Sequence, residues 1–420
     1  MTRTQAAPRR RALTWRATLL ALAAGVLAPV GVIDPLAIAP LFAVLALALL
    51  LLGRNGLLEP LRQLWPAALL FLLLAIWATL SSFWSILPRH SLLEGLRLAA
   101  IFAGGLVFVA TPPTLTLHER RAVAVAAAIG LGIAACWLLV EGLSGAALSR
   151  LVLRHEVAVW HYHRGATVLV LALWPVLAGA DWRPLYQRIA FLLVAGSAVL
   201  IIGSGTATLA LGAGLVAFAV ACWAPRLTAI ALAAGLVATA TILPMALPRS
   251  ETLVAMRQEA PWIKWSGMHR LLIWRFTSDR IAERLLLGWG MDASRDIPGG
   301  KTHLAQRFPE AGLPDDAEAL PLHPHNAALQ WELELGIPGT LLCLGLAIWA
   351  LWRVGFASGR SRLGRAGSLG WAASALVIAL LAYGAWQAWW LASLFLAAAT
   401  LSAIAGTPAD SADIPARDRP

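Results

Sequence analysis

Apolar residues run along this chain in long, nearly uncharged stretches, not in the alternating or one-faced patterns of water-soluble strands and helices. A helix that crosses a bilayer's hydrocarbon core needs about 20 such residues at 1.5 Å each. The sequence predicts spans over residues 17–33, 35–52, 66–82, 97–111, 122–142, 165–180, 189–203, 206–223, 227–246, 337–353, 371–386 and 388–405. Three breaks divide longer apolar tracts. As one helix, residues 189–224 would be about 54 Å long, nearly twice the core thickness, so a turn is placed at Gly203-Ser204-Gly205. Asp34-Pro35 divides the first tract, because an acid is costly at mid-membrane and proline stops the helix before it. Tyr383 to Gln387 divides the last.

The predicted fold class is an all-α polytopic membrane protein of about twelve transmembrane helices, with a large, partly helical outside loop between the ninth and tenth. Residues 1–246 hold helices 1–9, residues 247–325 the loop domain, residues 326–406 helices 10–12, and residues 407–420 a cytoplasmic tail.

Composition sharpens this picture. Of 420 residues, 59% are hydrophobic and 13% charged, about half the charge of a soluble domain. That excludes a soluble enzyme, a disordered chain and a nucleic-acid-binding module, despite a formal charge of +11. The basic residues are 31 Arg and 2 Lys. With the N-terminus in the cytoplasm, 18 arginines fall on inside segments and 5 on short outside ones (Arg89, Arg97, Arg150, Arg154 and Arg164). The other ten basic residues lie in the long loop, which the same count places outside. Arg9, Arg10, Arg11 and Arg16 ahead of an apolar run resemble a signal peptide, but the run continues to Ile33 and another span follows at once, so an uncleaved first span is expected. Tryptophans near span ends (Trp65, Trp84, Trp182, Trp223, Trp352, Trp371) suit interfacial belts. Cys136, Cys222 and Cys343 lie in apolar runs without metal or disulfide spacing and read as core residues.

The spans hold almost no ionisable groups, and no Walker loop or dinucleotide fingerprint appears. Chemistry is therefore expected in the outside segments 83–97, 143–164 and 247–325. The long loop has 79 residues with 10 basic and 10 acidic side chains, too long for a plain connector. Ser266 is placed as the cap of a helix running to Leu287, with Arg270, Trp274, Thr277, Ile281 and Arg284 on one stripe; Gly288-Trp289-Gly290 stops it. In Leu322-His323-Pro324-His325-Asn326, the proline favours an extended neighbour, so both imidazoles are expected to point one way with period two. Asn326 then caps a short helix over 327–335, ended by Gly336 and Pro338. That puts His325 at the membrane's outer edge, as a structural histidine or as a general base for a hydroxyl. The segment from Arg154-His155-Glu156-Val157 to His161-Tyr162-His163-Arg164-Gly165 sets Arg164 at a span's start. An arginine there is ordinarily a snorkelling anchor; it gains interest because His325 and the loop arginines share its side of the membrane. His161, His163, His323 and His325 also form two H-x-H pairs adequate for a metal, although Arg164 beside them would repel a cation.

His325-Asn326 followed after nine residues by Gly336-Ile337-Pro338-Gly339 resembles the histidine signature of the O-antigen ligase family, whose superfamily also holds O-antigen polymerases and bacterial O-oligosaccharyltransferases. Ser81-Ser82-Phe83-Trp84-Ser85 with Pro88, His163-Arg164-Gly165, and Arg270 with Trp274 before Leu286-Leu287-Gly288-Trp289-Gly290 are further matching pieces. In the family's pattern a leucine often stands four places after the arginine; here that place is Val168, with Leu169 next.

The resemblance implies transfer of a glycan from undecaprenyl diphosphate to a lipid A–core hydroxyl at the periplasmic face of the bacterial inner membrane, with no metal or nucleotide cofactor. It implies His325 as the catalytic histidine and Arg164 and Arg270 as diphosphate ligands, joined by Arg249 or Arg257 from the start of the long loop. His323, Asn326, Trp274, Gly336 and Gly339 are expected to support the site. The partners implied are the lipid-linked glycan donor, the lipid A–core acceptor and membrane lipids. The alternatives are a polymerase or protein O-oligosaccharyltransferase of the same superfamily and, from another class, a transporter of lipid-linked glycans.

Overall fold

The computed structural model describes residues 12–53, 56–153, 158–179, 183–260, 262–356 and 360–406. Its helices are α1 Trp15–Ile33, α2 Ile38–Leu52, α3 Leu58–Gln63, α4 Trp65–Leu80, α5 Pro88–Ala110, α6 Leu117–Ser144, α7 Ala147–Leu153, α8 His163–Ala178 and α9 Leu185–Ile202. They continue as α10 Gly205–Ala221, α11 Pro225–Ala246, α12 Ser250–Glu259, α13 Trp265–Glu283, α14 Leu304–Arg307, α15 Ala327–Phe356, α16 Arg362–Leu381 and α17 Ala388–Ala405. Among the described residues there is no strand, only an isolated bridge between His303 and Glu318. The protein is an all-α polytopic membrane protein. Among the described residues, ten helical segments are long and apolar enough to cross a bilayer; α8 and α10, with 16 and 17 residues, occupy the two other predicted stretches.

The breaks follow from local chemistry. Asp34 accepts the Leu36 N–H at 3.0 Å and starts a 3-10 turn over Pro35–Ala37. Gly203 takes φ +71°, and Ser204 caps α10 by accepting the Ala207 N–H. α8 is the central helix: every residue from Gly165 to Ala178 is buried, against α1, α9, α16 and α17.

Several predicted boundaries move. The loop helix begins at Trp265, because the extended Lys264 already offers its carbonyl to Gly267 and Met268; Ser266 therefore lies inside the helix and does not cap it. That helix also ends at Glu283, well before Leu287, with Arg284 stacked over Trp289 at 4.1 Å. α16 starts at Arg362, where Ser361 caps it at 3.0 Å, and stops at Leu381, leaving 382–387 as a polar link. Arg3, Arg9, Arg10, Arg11, Arg54, Arg154, His155, Glu156, Val157, Trp182 and the tail 407–420 lie outside the described residues.

The long loop between α11 and α15 has a small core of its own, formed by Leu253, Val254, Met268, Leu272, Leu304, Phe308, Ala311 and Ala319. Its attachment to the bundle is a backbone crossing. Gly336, at φ +60° and ψ −163°, breaks α15, and a Cβ there would lie 2.3 Å from the Leu286 carbonyl oxygen. A Cβ on Gly288 would lie 2.5 Å from Glu334 backbone. The groups freed by the break are satisfied across this contact: Trp289 N–H donates to Leu333 O at 2.9 Å, Gly290 N–H to Glu334 O at 2.8 Å, and Ile337 N–H to Leu285 O at 3.1 Å. Trp77 Nε1 donates to Leu335 O at 2.8 Å, and Trp84 Nε1 to Leu287 O at 3.0 Å. Ser81 and Ser91 bond the two backbone groups of Met291. The serine–tryptophan, GWG and GIPG motifs are thus three sides of one joint.

Candidate active site

The histidine turn sits on this joint. Asn326 caps α15, its Oδ1 accepting the Leu329 N–H at 3.2 Å. Just before it, His325 adopts φ +57°, a left-handed backbone that is costly for a residue with a Cβ. The extended backbone that would have pointed both imidazoles one way with period two is therefore absent. Instead the chain curls, and the His325 N–H donates to His323 Nδ1 at 3.2 Å, with the rings 4.4 Å apart and edge-on. His325 Nδ1 lies against the Ala382 carbonyl. A carbonyl only accepts, so Nδ1 carries the proton and Nε2 keeps its lone pair. Trp274 holds the turn from α13, its Nε1–H donating to Pro324 O at 2.9 Å.

Burial pushes His325 down to about 4; the bond to Ala382 opposes that shift and the charges of Arg270 and His269 add to it. Burial also pushes His323 down to about 3, with His325, Arg164 and Arg295 contributing. Both rings are neutral at pH 7.

Beside the turn opens a cavity of about 360 Å³. Its walls include Arg164 from the first turn of α8, His323, Arg97 from α5, Asp292 and Arg295 from the long loop, Gln330 from α15, and Gly384, Trp386 and Gln387 from the link before α17. Each of the three outside segments expected to carry chemistry contributes to this end of the bundle. Arg270, half-buried on α13, brings its charge to bear on His325 and on Tyr383, where Arg164 also acts. Among the described residues no carboxylate lies within ion-pair range of Arg164 or Arg270. Burial pushes the Tyr383 phenol up to about 12. Its hydroxyl lies 3.2 Å from Thr167 Oγ1, which donates to the Arg164 carbonyl at 2.6 Å.

Arg249 and Arg257 stand apart from this cavity. Arg249 is exposed at the start of α12, and Arg257 donates to the Ala311 carbonyl inside the loop. Gly336 and Gly339 belong to the kink, not to the cavity lining. The sequence reading did not single out Arg97, Asp292, Arg295, Gln330, Tyr383, Trp386 or Gln387 as site residues. The last three carried a signal, since they form the polar break in the final apolar tract, which was read only as a divider.

His161 is exposed and bonded to its own turn at Ala158, and the four histidines of the H-x-H pairs form no common group among the described residues. His90, Glu94 and Asp292 do lie within 4.8 Å of one another. His90 and Arg295 pair with Asp292 at 2.8 and 2.7 Å, and Arg97 pairs with Glu94. Those guanidiniums compete with any cation for the same carboxylates.

Residues 189–344 match the family model described as O-Antigen ligase. The "Putative polysaccharide ligase" of Rickettsia conorii is 35% identical over 128 residues, 30% of this chain and 29% of that relative. The Rickettsia felis protein of the same name is 35% identical over 128 residues, and the Rickettsia prowazekii protein 36% over 128, each covering 30% of both chains. The matches therefore span under a third of each relative's length. The matched region, residues 189–344, is under half of the chain; this O-antigen ligase-like domain contains Arg270, His323, His325 and the Gly336 kink.

Proposed function

We propose that this domain transfers a glycan from a polyprenyl diphosphate, of the undecaprenyl kind, to a lipid A–core sugar hydroxyl at the periplasmic face of the inner membrane, without a metal. The carrying observation is a polar cavity lined by Arg164 and His323 at one end of an apolar bundle, with the His325 ring 4.4 Å from that of His323 and Arg270 near enough to act on His325, neither arginine having a carboxylate partner among the described residues. A polyprenyl diphosphate has matching chemistry, with an anionic head for guanidiniums and a tail for lipid.

In the proposed step the acceptor oxygen forms a bond to the anomeric carbon as its proton passes to His325 Nε2. The anomeric carbon–diphosphate bond breaks with inversion, and the electron pair leaves on the diphosphate. Arg164 and Arg270 hold the growing negative charge in the role a magnesium ion plays elsewhere. The strained His325 backbone and the Ala382 carbonyl keep Nε2 aimed.

The test is transfer by purified protein from lipid diphosphate-linked glycan to lipid A–core. Loss of the general base lowers the rate about 10²–10⁴-fold, so His325→Ala is expected to lose that much while inserting normally. A His325→Ala protein as active as wild type removes the histidine from the mechanism. Offering a glycan or a protein acceptor in place of lipid A–core separates ligase from polymerase and O-oligosaccharyltransferase. Movement of donor across vesicles with no new glycosidic bond would identify a carrier instead, a role disfavoured by polar groups gathered at helix ends and not at mid-bilayer.

A further inference from the structure

We infer that Glu334, a carboxylate that lines no part of the cavity, is the positioning residue that holds three of its walls in register behind His325; this rests on the transfer reaction proposed above. Glu334 lies on α15 just before the Gly336 break and is 0% exposed. Its Oε2 accepts the Asp292 N–H at 2.8 Å and the Trp386 indole N–H at 2.7 Å. Its Oε1 accepts Gln330 Nε2 at 3.0 Å, the Ser294 hydroxyl, and the Ser294 N–H at 3.4 Å. Its backbone carbonyl takes the Gly290 N–H at 2.8 Å.

Three of these partners, Asp292, Gln330 and Trp386, line the cavity, and they come from three separate segments of the chain. Gln330 passes the constraint on, its Oε1 accepting the Ala385 N–H at 2.8 Å. Ala385 stands three residues beyond Ala382, whose carbonyl fixes His325 Nδ1. One carboxylate thus sets the 290–294 turn, the first turns of α15 and the link that orients the imidazole.

Burying a carboxylate is unfavourable unless donors surround it. Glu332, two residues away and 9% exposed, has a buried Oε1 with no hydrogen-bond partner. It makes the natural control, with the same helix, the same residue type and no such network. At position 334 an amide would turn an NH₂ group toward indole and backbone N–H groups, which cannot accept it.

A displacement of about 1 Å at a reacting group costs about 10²-fold in rate. In the transfer assay Glu334→Gln is therefore expected to lower kcat by about 10²-fold, with the KM for the lipid diphosphate donor within about twofold of wild type. Glu332→Gln should leave both parameters within about twofold. Trp386→Phe removes one donor without emptying the site and should lower kcat by roughly three- to tenfold. In a His325→Ala background neither Glu334→Gln nor Trp386→Phe should cost anything further, because each acts through the imidazole.

Wild-type kcat in Glu334→Gln or Trp386→Phe overturns the inference, as does a loss in the His325→Ala background equal to that in wild type, which would mark a fold-wide role. If Glu334→Gln does not fold, Trp386→Phe alone and with His325→Ala decides the matter. A wild-type protein that transfers nothing overturns the reaction itself, a result distinct from all of these.

Discussion

Arginines mark the two ends of α17, and they are used in opposite ways. At its C-terminal end Arg120 is 3% exposed and spends its guanidinium on carbonyls: Leu115 at 3.1 Å, Pro112 at 2.9 Å, Ala403 at 3.2 Å and Gly406 at 3.3 Å. It caps the helix end, where unpaired carbonyls and the helix dipole both favour a cation. At the N-terminal end Arg164 faces the cavity that Trp389 and Gln387 also line, and Arg270 approaches from the long loop, neither with a carboxylate partner among the described residues. A satisfied guanidinium holds a fold together, whereas one left without a protein acceptor in a polar cavity is ready for an anion. The difference is invisible in residue type and lies wholly in what surrounds the side chain.

The comparison breaks most decisively at the cavity. Removing a donor that stabilises transition-state charge costs about 10²–10³-fold, so Arg164→Gln and Arg270→Gln should each lower kcat/KM for a lipid diphosphate donor by that much in steady-state transfer. Lysine at either position should recover only part of this, because a point charge cannot bind phosphate bidentately. Wild-type kinetics for Arg164→Gln would return that residue to the class of membrane anchors.

A smaller effect of another kind is expected at the far end. Arg120→Gln strands buried carbonyls, at about 1–3 kcal/mol, so thermal unfolding in micelles should show a less stable protein whose kcat per folded molecule is unchanged.

The smallest effect concerns pH. With His325 held down at about 4, the base is already neutral at neutral pH, and kcat/KM for the free enzyme should change by less than about twofold between pH 7 and pH 5.5, with its acid limb near 4. An acid limb near the ordinary 6.5 would mean that the imidazole is solvated. The stability linkage has a definite sign. The unfolded imidazole binds a proton near 6.5 and the folded one only near 4, so the contribution to stability is full above about 6.5 and is lost as pH falls through that window.

Much of the site was legible because its parts are local. Asn326 caps the helix it precedes and Gly336 ends it, as the four consecutive polar or turn-forming residues His323 to Asn326 and one glycine dictate. His325 could be singled out from its neighbours, but not its left-handed backbone or its contact with the Ala382 carbonyl, which arrives from the link after α16. The GWG and GIPG motifs were recognisable as patterns, while their purpose, a crossing too close for any side chain, appears only when residues 286–290 meet residues 333–337. Ser266 failed as a cap because Lys264, two residues earlier, was already in position.

What the sequence determined by itself is the membrane architecture: apolar runs, their breaks at Asp34-Pro35 and Gly203-Ser204-Gly205, and the segments in which polar residues collect. A helix in lipid must satisfy its own backbone hydrogen bonds within one run of residues, so its signature is complete locally. Tertiary structure alone decided which helix ends meet. It brought Arg97, Arg164, Asp292, Gln330 and Gln387 to one cavity and five donor groups to Glu334. Lipid is as apolar as the helices themselves, so packing and a few buried polar bonds choose neighbours, and those choices join residues hundreds of positions apart.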